Sequence, residues 1–133
     1  MLKRFMNILI VEDSELICRQ LVRLLEPYPA IHVIGTASTE AEAVEKILSN
    51  PIDAVLLDLS LASGNGLQVL QRVKAAGHSA RFLILSSKGG RLLRDACLAL
   101  GAYAYYDKNS EIDACLAHLQ SWIPFFSQYK GQE

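Results

Sequence analysis

Cysteine, proline, an excess of either charge and long apolar runs are all missing or scarce in this chain, and each scarcity excludes something. Cys18, Cys97 and Cys115 are its only cysteines. They are odd in number, far apart and set inside apolar helical patterns rather than in a C-x-x-C pair, so they read as reduced thiols in or near a core. Thirteen basic and 14 acidic residues leave a net charge of −1. That balance offers no electrostatic footprint for a duplex, and nucleic acid is not expected as a direct partner. No apolar segment reaches the length of a membrane span. The run from Met6 to Val11 follows Lys3 and Arg4 as a signal peptide would, yet it meets Glu12 and Asp13 too soon. A cytoplasmic location without membrane insertion is the expectation. With no low-complexity tract and no internal repeat, disorder and a solenoid are excluded as well.

What is present fits one compact domain. Apolar residues make up 51% of the 133 and charged residues 20%, and a chain of this length buries about two thirds of its unfolded surface around one core. A single domain over 1–133 is expected, with its core at about 6–125 and a short tail at 126–133. Asn7 to Val11, Ala54 to Leu57 and Phe82 to Leu85 are short, branched, apolar runs of the kind that fill strands buried on both faces. Ile31 to Ala37 and Ala104 to Tyr106 are weaker strands, the first opened by Pro27-Tyr28-Pro29.

Amphipathic helices are predicted between and after them. Ser14 to Leu25 places Ile17, Leu21, Leu24 and Leu25 on one face, and Glu40 to Leu48 does the same with Val44, Ile47 and Leu48. Three more fall near Leu67 to Ala76, Arg91 to Leu100 and Glu111 to Ile123. Thr39-Ala41-Glu42 and Ser110-Ile112-Asp113 have the polar spacing of N-terminal caps, and Ser14 opens the first helix. Strict strand–helix alternation, five times over, implies an α/β flavodoxin-like (βα)5 fold with a doubly wound parallel sheet, its leading order 2-1-3-4-5. Functional groups in such sheets gather at the carboxyl ends of strands beside the switch point, between strands one and three.

Those ends carry Glu12-Asp13, Asp58, Ser86-Ser87 and, just past strand five, Lys108. Three carboxylates, one or two hydroxyls and one ammonium on one rim suit a hard cation held together with a phosphoryl group. Carboxylates about 5 Å apart repel by about 3 kcal/mol per pair at an effective dielectric near 20, so such a cluster calls for a cation, and magnesium is the natural one.

Each residue taken singly has a plainer reading. Glu12-Asp13 could be a solvated loop favoured by the dipole of the helix behind it, Asp58 a turn former, and Lys108 a solvated surface residue. Tyr103, Tyr105 and Tyr106 can simply pack. His32, His78 and His118 show no ligand spacing, and Gly64-Asn65-Gly66 is explained by a turn into the third helix. It is the five spaced features together that favour a functional site.

From about residue 6 to residue 125 the chain resembles the response regulator receiver family. The resemblance rests on the acidic pair after strand one, the isolated Asp58, Gly66 eight residues later, the hydroxyl after strand four and Lys108 after strand five. It implies a phosphoacceptor signalling domain rather than an enzyme with turnover. Asp58 would take a phosphoryl group from a histidine kinase or phosphotransfer protein. Mg²⁺ would sit on Asp13 and Asp58 with Glu12 nearby and the main-chain oxygen of Ser60 as a further ligand. Ser86 matches the switch hydroxyl, by its 22-residue separation from Lys108. Lys108 matches the residue that holds the phosphoryl oxygens, and Tyr105 the rotating aromatic. A downstream protein partner would read the face of helix four, strand five and helix five, because Pro124 stops the last helix with little chain beyond it.

Two positions depart from the family pattern. Asn109 stands where proline commonly follows the lysine, which favours a trans bond there, since a cis bond before a non-proline residue costs about 3 to 4 kcal/mol. Ala62 replaces another common proline, so the Ser60–Gly64 loop is expected to be looser, and Gly89-Gly90 adds a second flexible stretch. The alternative from another class is a small metal-dependent phosphate-ester hydrolase of the same fold. Against it, the sequence offers no evident general acid, no Walker A pattern and no dinucleotide fingerprint.

Overall fold

Residues with branched apolar side chains on both faces of a strand can be satisfied only in the middle of a sandwich, and the computed structural model, which describes residues 5–87 and 89–126, places them there. The strands are β1 (Met6–Val11), β2 (Ile31–Ala37), β3 (Ala54–Leu57), β4 (Arg81–Ser86) and β5 (Ala104–Asp107). All neighbours pair in parallel in the order β2-β1-β3-β4-β5, the flavodoxin-like order expected. Between and after them run α1 (Glu15–Leu25), α2 (Glu40–Ser49), α3 (Gly66–Ala75), α4 (Arg91–Ala99), α5 (Ile112–Gln120) and the short α6 (Ile123–Phe126). Lys88 and the tail beyond Phe126 lie outside the described residues.

The pleat divides the core in two. Leu9, Val11, Val55, Leu57, Phe82 and Ile84 face one layer, closed by Val44 and Ile47 of α2, Val69, Leu70 and Val73 of α3, and Cys97 of α4. Ile8, Ile10, Leu56, Leu83 and Leu85 face the other, closed by Cys18, Leu21 and Leu25 of α1 and by Cys115, Leu116 and Leu119 of α5. All three cysteines are buried and unpaired. At the base of β4 the Arg81 guanidinium lies 5.1 to 5.3 Å from the rings of Tyr103, Trp122, Phe125 and Phe126, which ties α6 to the sheet.

Three caps follow from sequence chemistry: Ser14, Thr39 and Asn65 accept from the main-chain N–H groups of Ile17, Glu42 and Gln68. Four expectations need correction. On α2 the buried stripe is Ala43, Val44 and Ile47, while Leu48, expected on that face, is 47% exposed. On α1 the buried stripe is Cys18, Leu21 and Leu25, while Leu24 is 38% exposed, because the i, i+3, i+7 row points inward and Leu24 stands off it. Ser110 does not cap α5. The helix follows Glu111, whose carboxylate reaches back to the Asp107 N–H at 2.8 Å and holds Ser110 in a turn. Helix α5 also ends at Gln120 rather than Ile123, and Pro124 does not stop a helix but sits in the first turn of α6, where its missing N–H leaves no bond unmade. No peptide bond is cis among the described residues, Lys108–Asn109 included.

The loop from β3 to α3 folds back on its own strand. Ser60 bridges Asn65, the Gly66 N–H donates to the Leu59 carbonyl at 3.0 Å, and a Cβ on Gly66 would collide with the Asp58 carbonyl oxygen and the Leu59 Cα. This loop, expected to be loose without a proline at Ala62, is also tied to the chain before α2: Ala62 N–H donates to the Ser38 carbonyl at 3.0 Å and Glu40 N–H to the Ser63 carbonyl at 2.9 Å. Since the Gly66 collision is with backbone, Gly66→Ala should cost about 1–3 kcal/mol in denaturant unfolding. Gly89→Ala, where a Cβ would meet open space, should stay within about 0.5 kcal/mol of the parent.

Candidate functional site

Parallel pairing brings the strand ends to one rim: Val11 pairs with Leu57, Leu57 with Ile84, and Ser86 with Asp107. The chain leaves β1 as Glu12-Asp13 and β3 as Asp58, and the Asp58 N–H donates to the Val11 carbonyl at 2.9 Å. Glu12 and Asp58 are 4% and 3% exposed, so two carboxylates are withdrawn from water where the apolar strands end. Burying them unpaired would be costly. The answer comes from the far edge of the sheet. Lys108, whose N–H donates to the Ser86 carbonyl, places Nζ 2.8 Å from Glu12 Oε1 and 2.9 Å from Asp58 Oδ2. Glu12 Oε2 further accepts from the Ser14 N–H at 2.9 Å, and Asp58 Oδ1 from the Ser60 N–H at 3.3 Å.

The electrostatics pull the two ends of one ion pair apart. Burial raises the Glu12 carboxyl above its usual range, and the hydrogen bonds from Lys108 and Ser14 only partly oppose it, while the Asp58 charge adds to the rise. Burial alone would lower Lys108. Its hydrogen bonds to Glu12 and Asp58, with their charges, more than reverse that and hold the ammonium above its ordinary 10.5.

Asp13 completes the cluster from an exposed position, and one carboxylate oxygen each of Glu12, Asp13 and Asp58 lie within 4.8 Å of one another. Among the described residues Asp13 forms no ion pair, and one ammonium among three carboxylates leaves the cluster with surplus negative charge. An all-oxygen donor set with surplus negative charge is what a hard divalent cation such as Mg²⁺ requires. Ser86, 1% exposed, closes β4 beside this group and shares a hydrogen bond with the Tyr105 hydroxyl, whose pKa is raised by burial and only partly lowered by Ser86. Tyr105 in turn lines an open groove of about 650 Å³ with Arg91, Arg94, Leu98, Asp107 and Glu111. Ser87 is exposed.

The structure therefore gathers Glu12, Asp13, Asp58 and Lys108 directly, sets Ser60 against Asp58 through its N–H, and links Ser86 to Tyr105. Besides the Lys108–Glu12 pair, sequence reasoning missed two contacts. His118, given no role, meets the Tyr106 hydroxyl through Nδ1 at 2.8 Å. Glu40 accepts from the Asn65 N–H at 3.2 Å and from Arg72 Nη1 at 3.1 Å. No local spacing could have joined Glu40 to a loop 25 residues away.

This is a flavodoxin-like doubly wound domain with its polar site at the topological switch point. The response regulator receiver domain model matches residues 8–120, and the chain belongs to that family, in which phosphorylation and Mg²⁺ binding are general. Response regulator UvrY of Escherichia coli K12 is 27% identical over 115 residues, 86% of this chain and 53% of its own length. The DNA-binding transcriptional activator DevR/DosR of Mycobacterium tuberculosis is 34% identical over 104 residues, 77% of this chain and 48% of its own length. The chain thus spans about half the length of these curated relatives. Among solved structures, the CheX–CheY–BeF3–Mg²⁺ complex from Borrelia burgdorferi superposes with a TM-score of 0.78 at 29% identity, over 86% of this chain and 87% of that one. No helix among the described residues is long and apolar enough to cross a membrane.

Two expectations follow from these charges. Without metal, Asp13→Asn should raise the melting temperature by about 3–5 °C and weaken Mg²⁺ binding, because it relieves the surplus negative charge at the carboxylate that makes no ion pair; calorimetry with and without Mg²⁺ checks both, and an unchanged Mg²⁺ affinity removes Asp13 from the ligand set. Because the folded pKa of Lys108 lies above 10.5, its ion pairs contribute fully below that pH and are lost as pH rises through the folded value. Burial pushes the Cys115 thiol up to about 12, which acts in the same direction. Unfolding free energy should therefore fall between about pH 9 and about pH 12, and Lys108→Met should make that decline shallower.

Proposed function

We propose that this chain receives a phosphoryl group on Asp58, from a histidine kinase or a phosphotransfer protein, and signals the event to a downstream protein. One observation carries the reading: Asp58 is the buried acid that ends the central strand β3 and is joined to both Lys108 and the acidic pair. Asp13 and Asp58, with Glu12 beside them and the Ser60 main-chain oxygen, would hold Mg²⁺. Bound there, the ion supplies positive charge to the acceptor and to the oxygens of the incoming group.

The protein's own part is alignment and charge, since phosphoryl transfer passes through a loose transition state with little covalent work for side chains. An Asp58 carboxylate oxygen attacks phosphorus, an O–P bond forms as the P–N bond to the donor's imidazole breaks, and an acyl phosphate remains. Lys108 Nζ, already on Asp58 Oδ2, is placed to stay with the phosphoryl oxygens as a compact charge. Ser86 turns its hydroxyl from Tyr105 toward the new phosphoryl oxygens, which releases Tyr105 to repack. The groove formed by α4, β5 and the start of α5 then changes shape where Tyr105 lines it, and that face is the one a partner reads. The complex of CheY with CheX, BeF3 and Mg²⁺ supports such a use of the fold. No observation favours the hydrolase reading.

With a small phosphodonor and Mg²⁺, intact-mass measurement should show a single added phosphoryl group, labile to hydroxylamine and absent when the metal is chelated first. Asp58→Asn keeps the size and removes the nucleophilic charge, so it should abolish the adduct while the domain stays folded. A folded Asp58→Asn variant that gains an equally labile group at parental yield would place the acceptor elsewhere.

A further inference from the structure

The loop that follows Asp58 owes its course to a residue on another helix. Glu40 is the first residue of α2, its side chain only 19% exposed, and its two carboxylate oxygens are divided between two partners on α3's side. Oε1 accepts from the Asn65 N–H at 3.2 Å and Oε2 from Arg72 Nη1 at 3.1 Å. Asn65 is the N-cap of α3, so the carboxylate lies at that helix's positive end as well as in the first turn of its own helix, where negative charge is favoured twice. Gly64, at φ +76°, packs so closely on Glu40 that a Cβ would collide with the Glu40 Cβ and Oε1. The Glu40 main chain adds its N–H to the Ser63 carbonyl, and Thr39 bridges Ser63. On the other side of the same loop, Ser60 bridges Asn65 and donates its N–H to Asp58 Oδ1. The path from Glu40 to the acceptor acid is therefore Glu40, Asn65, Ser60, Asp58, with a contact at each step.

We propose that Glu40 is a positioning residue for the metal site: its carboxylate fixes the Gly64–Asn65 turn, the turn fixes Ser60, and the Ser60 main chain is thereby held where its oxygen meets Mg²⁺. Glu40 does not belong to the carboxylate cluster. It replaces, with a side chain from α2, the stiffness that a proline at Ala62 would have built into the loop. This inference rests on the Mg²⁺ reading above.

The test measures Mg²⁺ affinity by isothermal titration calorimetry beside thermal melting, for Glu40→Ala, Glu40→Gln and Arg72→Met, with Asp13→Asn as the reference for ligand loss. Residues that orient metal ligands commonly govern affinity by about tenfold or more, so Glu40→Ala should raise the Mg²⁺ Kd about tenfold. Glu40→Gln keeps an oxygen acceptor for the Asn65 N–H and should return the Kd to within about threefold of the parent, although it weakens the pair with Arg72. Arg72→Met should likewise leave the Kd within about threefold, since it breaks only an exposed ion pair. With Mg²⁺ saturating, phosphorylation of Glu40→Ala should recover. If Glu40→Ala lowers the melting temperature and leaves the Kd unchanged, Glu40 is merely structural and the proposal is overturned. If Glu40→Ala does not fold, the proposal is carried by Gly64→Ala, which displaces the Glu40 carboxylate and should raise the Kd in the same way; an unchanged Kd there overturns it. Absence of measurable Mg²⁺ binding in the parent chain would instead sink the metal-site reading itself, so the two failures are distinguishable.

Discussion

One ammonium group holds the polar end of this molecule together. Lys108 Nζ reaches Glu12 at 2.8 Å and Asp58 at 2.9 Å, and both carboxylates are almost fully withdrawn from water. Removing one member of such a buried arrangement commonly costs about 3–5 kcal/mol, because the remaining charges are left without compensation. The three residues follow β1, β3 and β5, two of them central strands and one an edge strand, so the ion pairs stitch the sheet along its carboxyl edge as hydrogen bonds stitch its interior. The neutralisation is incomplete: Asp13 remains outside the ion pairs, and the cluster keeps surplus negative charge.

That incompleteness connects the fold to the family's chemistry. The response regulator receiver family takes up phosphoryl groups with Mg²⁺, and the rim here presents oxygen ligands, a compact cation and, one strand along, a serine whose hydroxyl is already engaged by Tyr105. On the reading proposed above, a phosphoryl group on Asp58 would compete with the Tyr105 phenol for the Ser86 hydroxyl, and Tyr105 also lines the α4–β5 groove.

Much of this was legible in the sequence, for identifiable reasons. Strands buried on both faces admit little but branched apolar residues, so Asn7–Val11, Ala54–Leu57 and Phe82–Leu85 announced themselves, and parallel strands then fixed which ends had to meet. Thr39 and Ser14 were readable as caps because their partners lie three residues on. What escaped depends on distance along the chain or on competition between neighbours. Ser110 lost its capping role to the Glu111–Asp107 turn, Leu24 lost its core place to Cys18, and Glu40 gained its role only once α2 and α3 lay side by side. That Lys108 would serve Glu12 as well as Asp58 also needed the sheet to be closed.

The placement of Lys108 bears on how the domain assembles. The two acids it neutralises enter the chain at positions 12 and 58, whereas the ammonium arrives at position 108, behind the last strand. A chain that has paired β1 with β3 but not yet docked β5 would hold two sheltered negative charges with no counter-charge among them, an arrangement that resists burial. Completion of the sheet edge is thus rewarded at its centre, and partial assemblies are discouraged by the same residues that later make up the site. A receiver domain built this way has no completed Glu12–Lys108–Asp58 cluster until β5 is in place, so closure of the polar rim and closure of the sheet become a single event.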